Sequence, residues 1–217
     1  VNTEKQSFSS PRWTRLAMVW CLFFLICFSL GYPTLNRYSP NLAATTSENP
    51  HGSLADTKHY ASLVENGFKN TPDVIWRYRV LVPYVAKPFY ALFKGHIGSW
   101  NLVFFSLLAA NSLFVASTAV LLFLIGATII GSRTVGFISS LLLLAHFNIS
   151  NLYLAGLVDS GELFLMVLTA WFLLQKKWYV LPFIAIFAFL TRETTVIFTI
   201  GLASNWLLVD AFKGRIW

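Results

Sequence analysis

The sequence predicts an all-α, polytopic integral membrane protein, with about six transmembrane helices and amphipathic interfacial helices in a long first outer loop. Three observations lead there. Of the 217 residues, 56% are hydrophobic and only 12% are charged, about half the charge of a typical soluble domain. Long uncharged stretches alternate with short charged clusters, the pattern of spans separated by loops. The formal charge of +7 is scattered between apolar segments with no basic helix, which suits membrane anchoring and argues against a nucleic-acid partner.

An N-terminal tail, 1–15, precedes span 1 at 16–35, which contains both cysteines, Cys21 and Cys27. Buried there, the thiols support neither a disulfide framework nor a zinc cluster. No small-x-small cleavage site follows closely, so span 1 is expected to be retained rather than removed as a signal peptide. The chain begins with Val1, leaving a processed or truncated start open.

Residues 36–99 form the outer loop. Its first part, to Gly52, is rich in Ser, Thr, Asn and Pro and reads as irregular. Leu54 to Asn66 reads as a helix with Ser53 as N-cap and Gly67 as stop, placing Asp56 and Tyr60 on one face. A second helical stretch is expected from Val74 to Phe93, interrupted by Pro83 and Pro88. Its many bulky apolar residues suggest that it lies flat on the membrane surface, with Arg77, Tyr78 and Arg79 at headgroup level.

The region 100–209 reads as a bundle of about five further spans. Span 2 runs from Trp100 to about Ile130, with a turn at Gly131, Ser132 and Arg133. Span 3 covers Thr134 to Phe147 and span 4 Leu152 to Leu174, closed by Gln175, Lys176 and Lys177. Trp178 to Leu190 and Thr194 to Val209 are read as short spans meeting in a tight turn at Arg192 and Glu193, in preference to one long helix. Residues 210–217 form a C-terminal tail.

Lys and Arg in short loops and tails set orientation. Lys5, Arg12, Arg15, Arg133, Lys176, Lys177, Lys213 and Arg215 would share one side, against Arg192 alone in the short loops of the other. Both termini are therefore expected to be cytoplasmic. The outer loop holds seven basic residues, which is consistent because long loops translocate regardless of charge.

Ionisable groups at a membrane boundary need partners or a wet cavity, since each costs about 2.5 to 3.5 kcal/mol in hydrocarbon on insertion scales. With this topology Asp56, Arg77, Arg79, Asp159, Glu162, Arg192 and Glu193 all open to the outer face. Arginines beside carboxylates suit transfer of a group from a lipid phosphate: a guanidinium grips phosphate bidentately, and a carboxylate accepts the acceptor hydroxyl's proton. Each residue also has a purely structural alternative, as a helix-dipole acid, a headgroup anchor, a local ion pair or a solvated acid.

The segment WRYRVLVPYVAKPFY, Trp76 to Tyr90, together with LTRETTVIF, Leu190 to Phe198, resembles bacterial polytopic proteins of the mannosyltransferase-like kind. One span followed by a long outer loop with Asp56 in a D-x-x-x-Y setting resembles the GT-C glycosyltransferase superfamily. The resemblance implies a polyprenyl-phosphate sugar donor used at the outer face of a bacterial inner membrane. Asp56 would be the catalytic carboxylate that deprotonates the acceptor or binds a divalent metal ion, and Arg77, Arg79 and Arg192 would hold phosphate. Tyr60, Asp159, Glu162 and Glu193 complete the expected substrate site. Asp56 lies further from span 1, and the chain has fewer spans, than is usual in that superfamily. The alternative is a non-catalytic accessory subunit whose partners are other membrane subunits.

Overall fold

The computed structural model describes residues 13–38, 56–70, 78–98 and 100–216. Among these residues the structure is helical, without strands. Helix α1 is Trp13–Tyr38, α2 Thr57–Asn66, α3 Leu81–Phe93, α4 Leu102–Ile129, α5 Arg133–Ala145, α6 Asp159–Leu174, α7 Leu181–Phe189 and α8 Glu193–Ile216. Two of them, α1 and α4, are long and apolar enough to cross a membrane; α5, α7 and the apolar part of α8 to Val209 are shorter.

Helix α4 is the central element. The Asn101 side chain caps it, accepting from the Val103 and Phe104 amides at 3.1 and 3.2 Å, which satisfies donors that the first turn leaves open. Its 28 residues extend ~42 Å at ~1.5 Å per residue. Helix α1 runs antiparallel to it: Trp20, early in α1, donates to Ser117 at 3.0 Å, whereas Gly31, late in α1, lies against Leu108. Helix α5 returns along α4 through a close glycine contact. A Cβ on Gly136 would sit 2.4 Å from the Phe123 carbonyl oxygen, and one on Gly126 would sit 2.8 Å from the Gly136 Cα. The Ser140 hydroxyl, buried in the same seam, donates to the Ala119 carbonyl at 2.6 Å.

Helix α6 starts beside the first half of α4, where Ser160 donates to Asn111 and Phe164 packs on Phe114. It therefore runs parallel to α4. Helix α7 comes back, and α8 leaves again from the end where α6 began. This alternation gathers the starts of α4, α6 and α8 with the ends of α1 and α7. The start of α5 and the turn after α6, carrying Arg133, Lys176 and Lys177, lie toward the other end.

Helices α2 and α3 cover the first of these ends. Tyr60, Ala61, Leu63 and Val64 of α2 are buried against Val82 and Ala86 of α3 and Val103 and Leu107 of α4; burial of a side chain such as Leu63 contributes about 1.5–3 kcal/mol. Gly67 ends α2 as expected, with φ +62°. Rather than lying only on a surface, α3 packs one face, Val82, Pro83 and Ala86, into this cluster.

Several boundaries differ from expectation. Helix α2 begins at Thr57, after Asp56, while Ser53, Leu54 and Ala55 lie outside the described residues. Tyr78 to Val80 precede α3 in non-helical form, and Pro83 falls in its first turn, where a missing amide hydrogen costs nothing. Helix α6 begins at Asp159, not Leu152. A π-type turn, Ile149–Tyr153, and a turn through Gly156 at φ +89° occupy the stretch before it. That backbone conformation suits glycine, and a Cβ there would come within 2.9 Å of the Thr57 methyl. The last apolar region is two helices, as expected, but a short 3-10 turn, Trp178–Val180, leaves α7 only nine residues.

Candidate functional site

A cavity of about 220 Å³ opens where α2, the segment before α3, the turn before α6 and the α7–α8 turn meet. It is lined by Asp56, Tyr60, Arg79, Leu152, Leu157, Val158, Asp159 and Arg192. Its walls follow from local backbone choices. Gly156 lets the turn before α6 press against Thr57, beside Asp56. Gly161 has room only for hydrogen, with Val82 2.9 Å and Thr191 3.2 Å from a would-be Cβ, so α6 fits closely against α3 and the α7–α8 turn. The Leu81 amide donates to the Leu190 carbonyl at 2.9 Å and ties the start of α3 to the end of α7.

Each arginine in the wall is held by carboxylates. Arg192 donates through Nη1 to Asp159 Oδ1 at 3.1 Å and to Glu162 Oε2 at 3.2 Å. The other oxygen of Glu162 accepts from Thr194 at 3.0 Å. Arg192 Nε is buried without a hydrogen-bond partner. Arg79 donates Nη2 to Glu193 Oε1 at 2.5 Å and Nε to Oε2 at 3.3 Å, a two-pronged pair. The guanidinium also bonds the Tyr60 phenol. Burial pushes the Tyr60 phenol up to about 12, outweighing the neighbouring Arg79. Tyr60 is thus a neutral hydroxyl in the cavity wall through physiological pH. Burial alone would lower Arg79, but its bonds to Glu193 and Tyr60 outweigh that and keep it charged. Glu193 is held below its ordinary value, first by the bond from Arg79.

Asp56 differs from the other acids. It precedes the first residue of α2, yet its side chain makes no capping hydrogen bond, and among the described residues it forms no ion pair. Among the described residues, then, neither a cap nor a salt-bridge partner accounts for it.

Of the residues singled out from sequence, Asp56, Tyr60, Arg79, Asp159 and Arg192 line one cavity. Glu162 and Glu193 are not among its lining residues but pair with its arginines, and Arg77 lies outside the described residues. Sequence reasoning missed Thr194, which braces Glu162, and Tyr153, within electrostatic reach of Asp159 and Glu162. A hydroxyl beside Glu193 was a readable signal for Thr194; Tyr153 gave none, because its approach depends on the π-type turn.

Among the described residues no group of three or more His, Cys, Asp and Glu side chains is arranged to hold a metal ion. Among the described residues the arrangement offers a neutral phenol, a carboxylate without a cation, and guanidinium groups paired with acids. Together these can orient a hydroxyl-rich ligand and accept a proton from it. No known protein family, curated protein or solved structure matches the chain.

Proposed function

We propose that the chain is a polytopic membrane protein that transfers a sugar from a polyprenyl phosphate to an acceptor hydroxyl at the outer face of a bacterial inner membrane. Membrane embedding is supported by the lengths of α1 and α4 and by exposed side chains such as Leu142, Phe147, Phe183 and Ile197, each more than 60% accessible, an apolar exterior that water disfavours. The spans of the proposal are α1, α4, α5, α6, α7 and the Thr194–Val209 part of α8. Arg133, Lys176 and Lys177 sit toward the end remote from the cavity, so the positive-inside rule directs the cavity outward and both termini to the cytoplasm.

The observation that carries the chemistry is Asp56, which among the described residues has neither cap nor ion pair and lines a cavity walled by Arg79 and Arg192. In the proposed step the acceptor oxygen bonds to the sugar's anomeric carbon while the bond to the phosphate oxygen breaks. Polyprenyl phosphate leaves with the electron pair, and the acceptor's proton passes to Asp56. A cavity of about 220 Å³, below the roughly 300–1,000 Å³ of drug-sized sites, suits a single sugar ring with the lipid tail outside.

With the full chain reconstituted in lipid nanodiscs and supplied with polyprenyl-phosphate sugars, Asp56→Asn is expected to lower transfer by about a hundredfold or more with an unchanged unfolding temperature. Full activity in that variant overturns the proposal.

The alternative, an accessory subunit of a larger membrane assembly, is favoured by α8. It packs on α6 and α7 and leaves Ile197, Ile200, Leu207 and Leu208 uncovered. Purification from native membranes with a stoichiometric helical partner and no transferase activity would establish that reading instead.

A further inference from the structure

We infer that Glu193 is a built-in competitor, holding the edge of Arg79 that a phosphate would take, and that an anionic ligand gains the cavity by displacing it. The inference rests on the proposed handling of a phosphate at this site and adds how access to it is controlled.

The argument comes from an asymmetry between the arginines. Arg79 has a side chain only 11% exposed, while its partner Glu193 is 57% exposed. Arg192 shows the reverse order: it is 35% exposed and its acids, Asp159 and Glu162, are 28% and 15% exposed. Charge leaving the protein for water regains hydration, so the outermost member of each pair is the one that can move. At Arg192 that member is the arginine itself, held between two acids on α6, one of them braced by Thr194. At Arg79 it is the acid.

The chemistry of exchange is also matched. Glu193 accepts from Nε and Nη2 of Arg79, two parallel donors on one guanidinium edge. A phosphate presents two oxygens to such an edge in the same way. When Glu193 rotates outward, Arg79 stays at the cavity wall, kept by its bond to Tyr60. The first turn of the 24-residue helix α8, whose positive dipole end favours anions, stays beside it. Glu193 thus keeps the guanidinium neutralised when the site is empty and is exchanged when an anion arrives.

The inference predicts a gain of affinity on removing a charge. The full chain in phosphatidylcholine nanodiscs is titrated calorimetrically with geranyl monophosphate and, separately, with inorganic phosphate. Glu193→Gln is expected to bind tighter than the wild type by roughly threefold to tenfold, the equivalent of releasing one partly exposed ion pair. Adding Arg79→Gln should abolish that gain. Tightening for geranyl monophosphate alone assigns a lipid phosphate; equal tightening for both probes assigns the phosphate group without the lipid. Wild-type binding left unchanged or weakened by Glu193→Gln overturns the competitor role while the phosphate site stands. No binding of either probe by wild type or variant overturns both. Misfolding cannot mimic a gain, and Glu193→Ser, which shortens the side chain as well, must show the same direction.

Discussion

The two ends of α4 are built on opposite principles. At the far end, α4 and α5 meet through Gly126, Gly136 and the buried Ser140 hydroxyl, where backbone lies on backbone and no ion pair is found among the described residues. At the cavity end, the backbone leaves helical form at the π-type turn and Gly156, and the ion pairs of Arg79 and Arg192 join elements distant in sequence. The difference teaches that this molecule separates its backbone-on-backbone packing from its charged pairs. At one end the glycines meet backbone, whereas at the other Gly156 and Gly161 meet side chains and charged pairs join the elements.

The sharpest way to break the comparison is Gly136→Val. A Cβ there meets the Phe123 carbonyl at 2.4 Å and the Ala127 amide nitrogen at 3.1 Å, and backbone cannot step aside as a flexible side chain can. A destabilisation of about 3 kcal/mol or more is expected, read as a lower unfolding temperature in detergent. Gly201→Ala, where nothing stands within 4 Å, should instead stabilise by about 0.5–1 kcal/mol through reduced backbone freedom.

Next in size is Arg192→Gln. It leaves Asp159 and Glu162 facing each other without their shared cation, a partly buried arrangement whose loss should cost about 1–3 kcal/mol. Glu162→Gln in the same background is expected to recover part of that loss. Equal unfolding temperatures for wild type and Arg192→Gln would show that the triad does not hold α6 to the α7–α8 turn.

The smallest effect is expected from acid. Glu193 is held below its ordinary 4.5, so its bond to Arg79 contributes fully above that value and is lost as pH falls through the lowered one. Hydrogen-exchange protection at the start of α3, taken relative to the intrinsic rate at each pH, should therefore fall on acidification before α4 and α5 loosen. Protection that falls equally at both ends would erase the distinction drawn between them.

How much of this was legible beforehand depended on charge. The windows that became α1 and α4 are bounded by Arg15, Arg37 and Arg133, and their uncharged length carried over to helix length. The gathering of Asp56, Tyr60, Arg79, Asp159 and Arg192 followed from counting alternating segments, because each turn brings the chain back to the same end. The break between Leu152 and Val158 was not legible, since apolar residues continue across it and only Gly156 departs from the pattern. Nor was the start of α3: Tyr78, Arg79 and Val80 are as compatible with helix as the residues after them. Which acid would meet which arginine was hidden too, because Glu193 adjoins Arg192 in sequence yet pairs with Arg79, 114 positions away.

The brevity of α7 has a consequence for the surrounding lipid. Nine helical residues at ~1.5 Å each and a 3-10 turn of three at ~2 Å reach only ~20 Å, against a hydrocarbon thickness of ~30 Å. On the proposed topology, in which α7 spans the bilayer, its flank would be a site of hydrophobic mismatch where the leaflets would pinch inward. Headgroups on that flank would sink toward the turn that carries Arg192, so the lipid itself would shorten the path from the bilayer to the cavity.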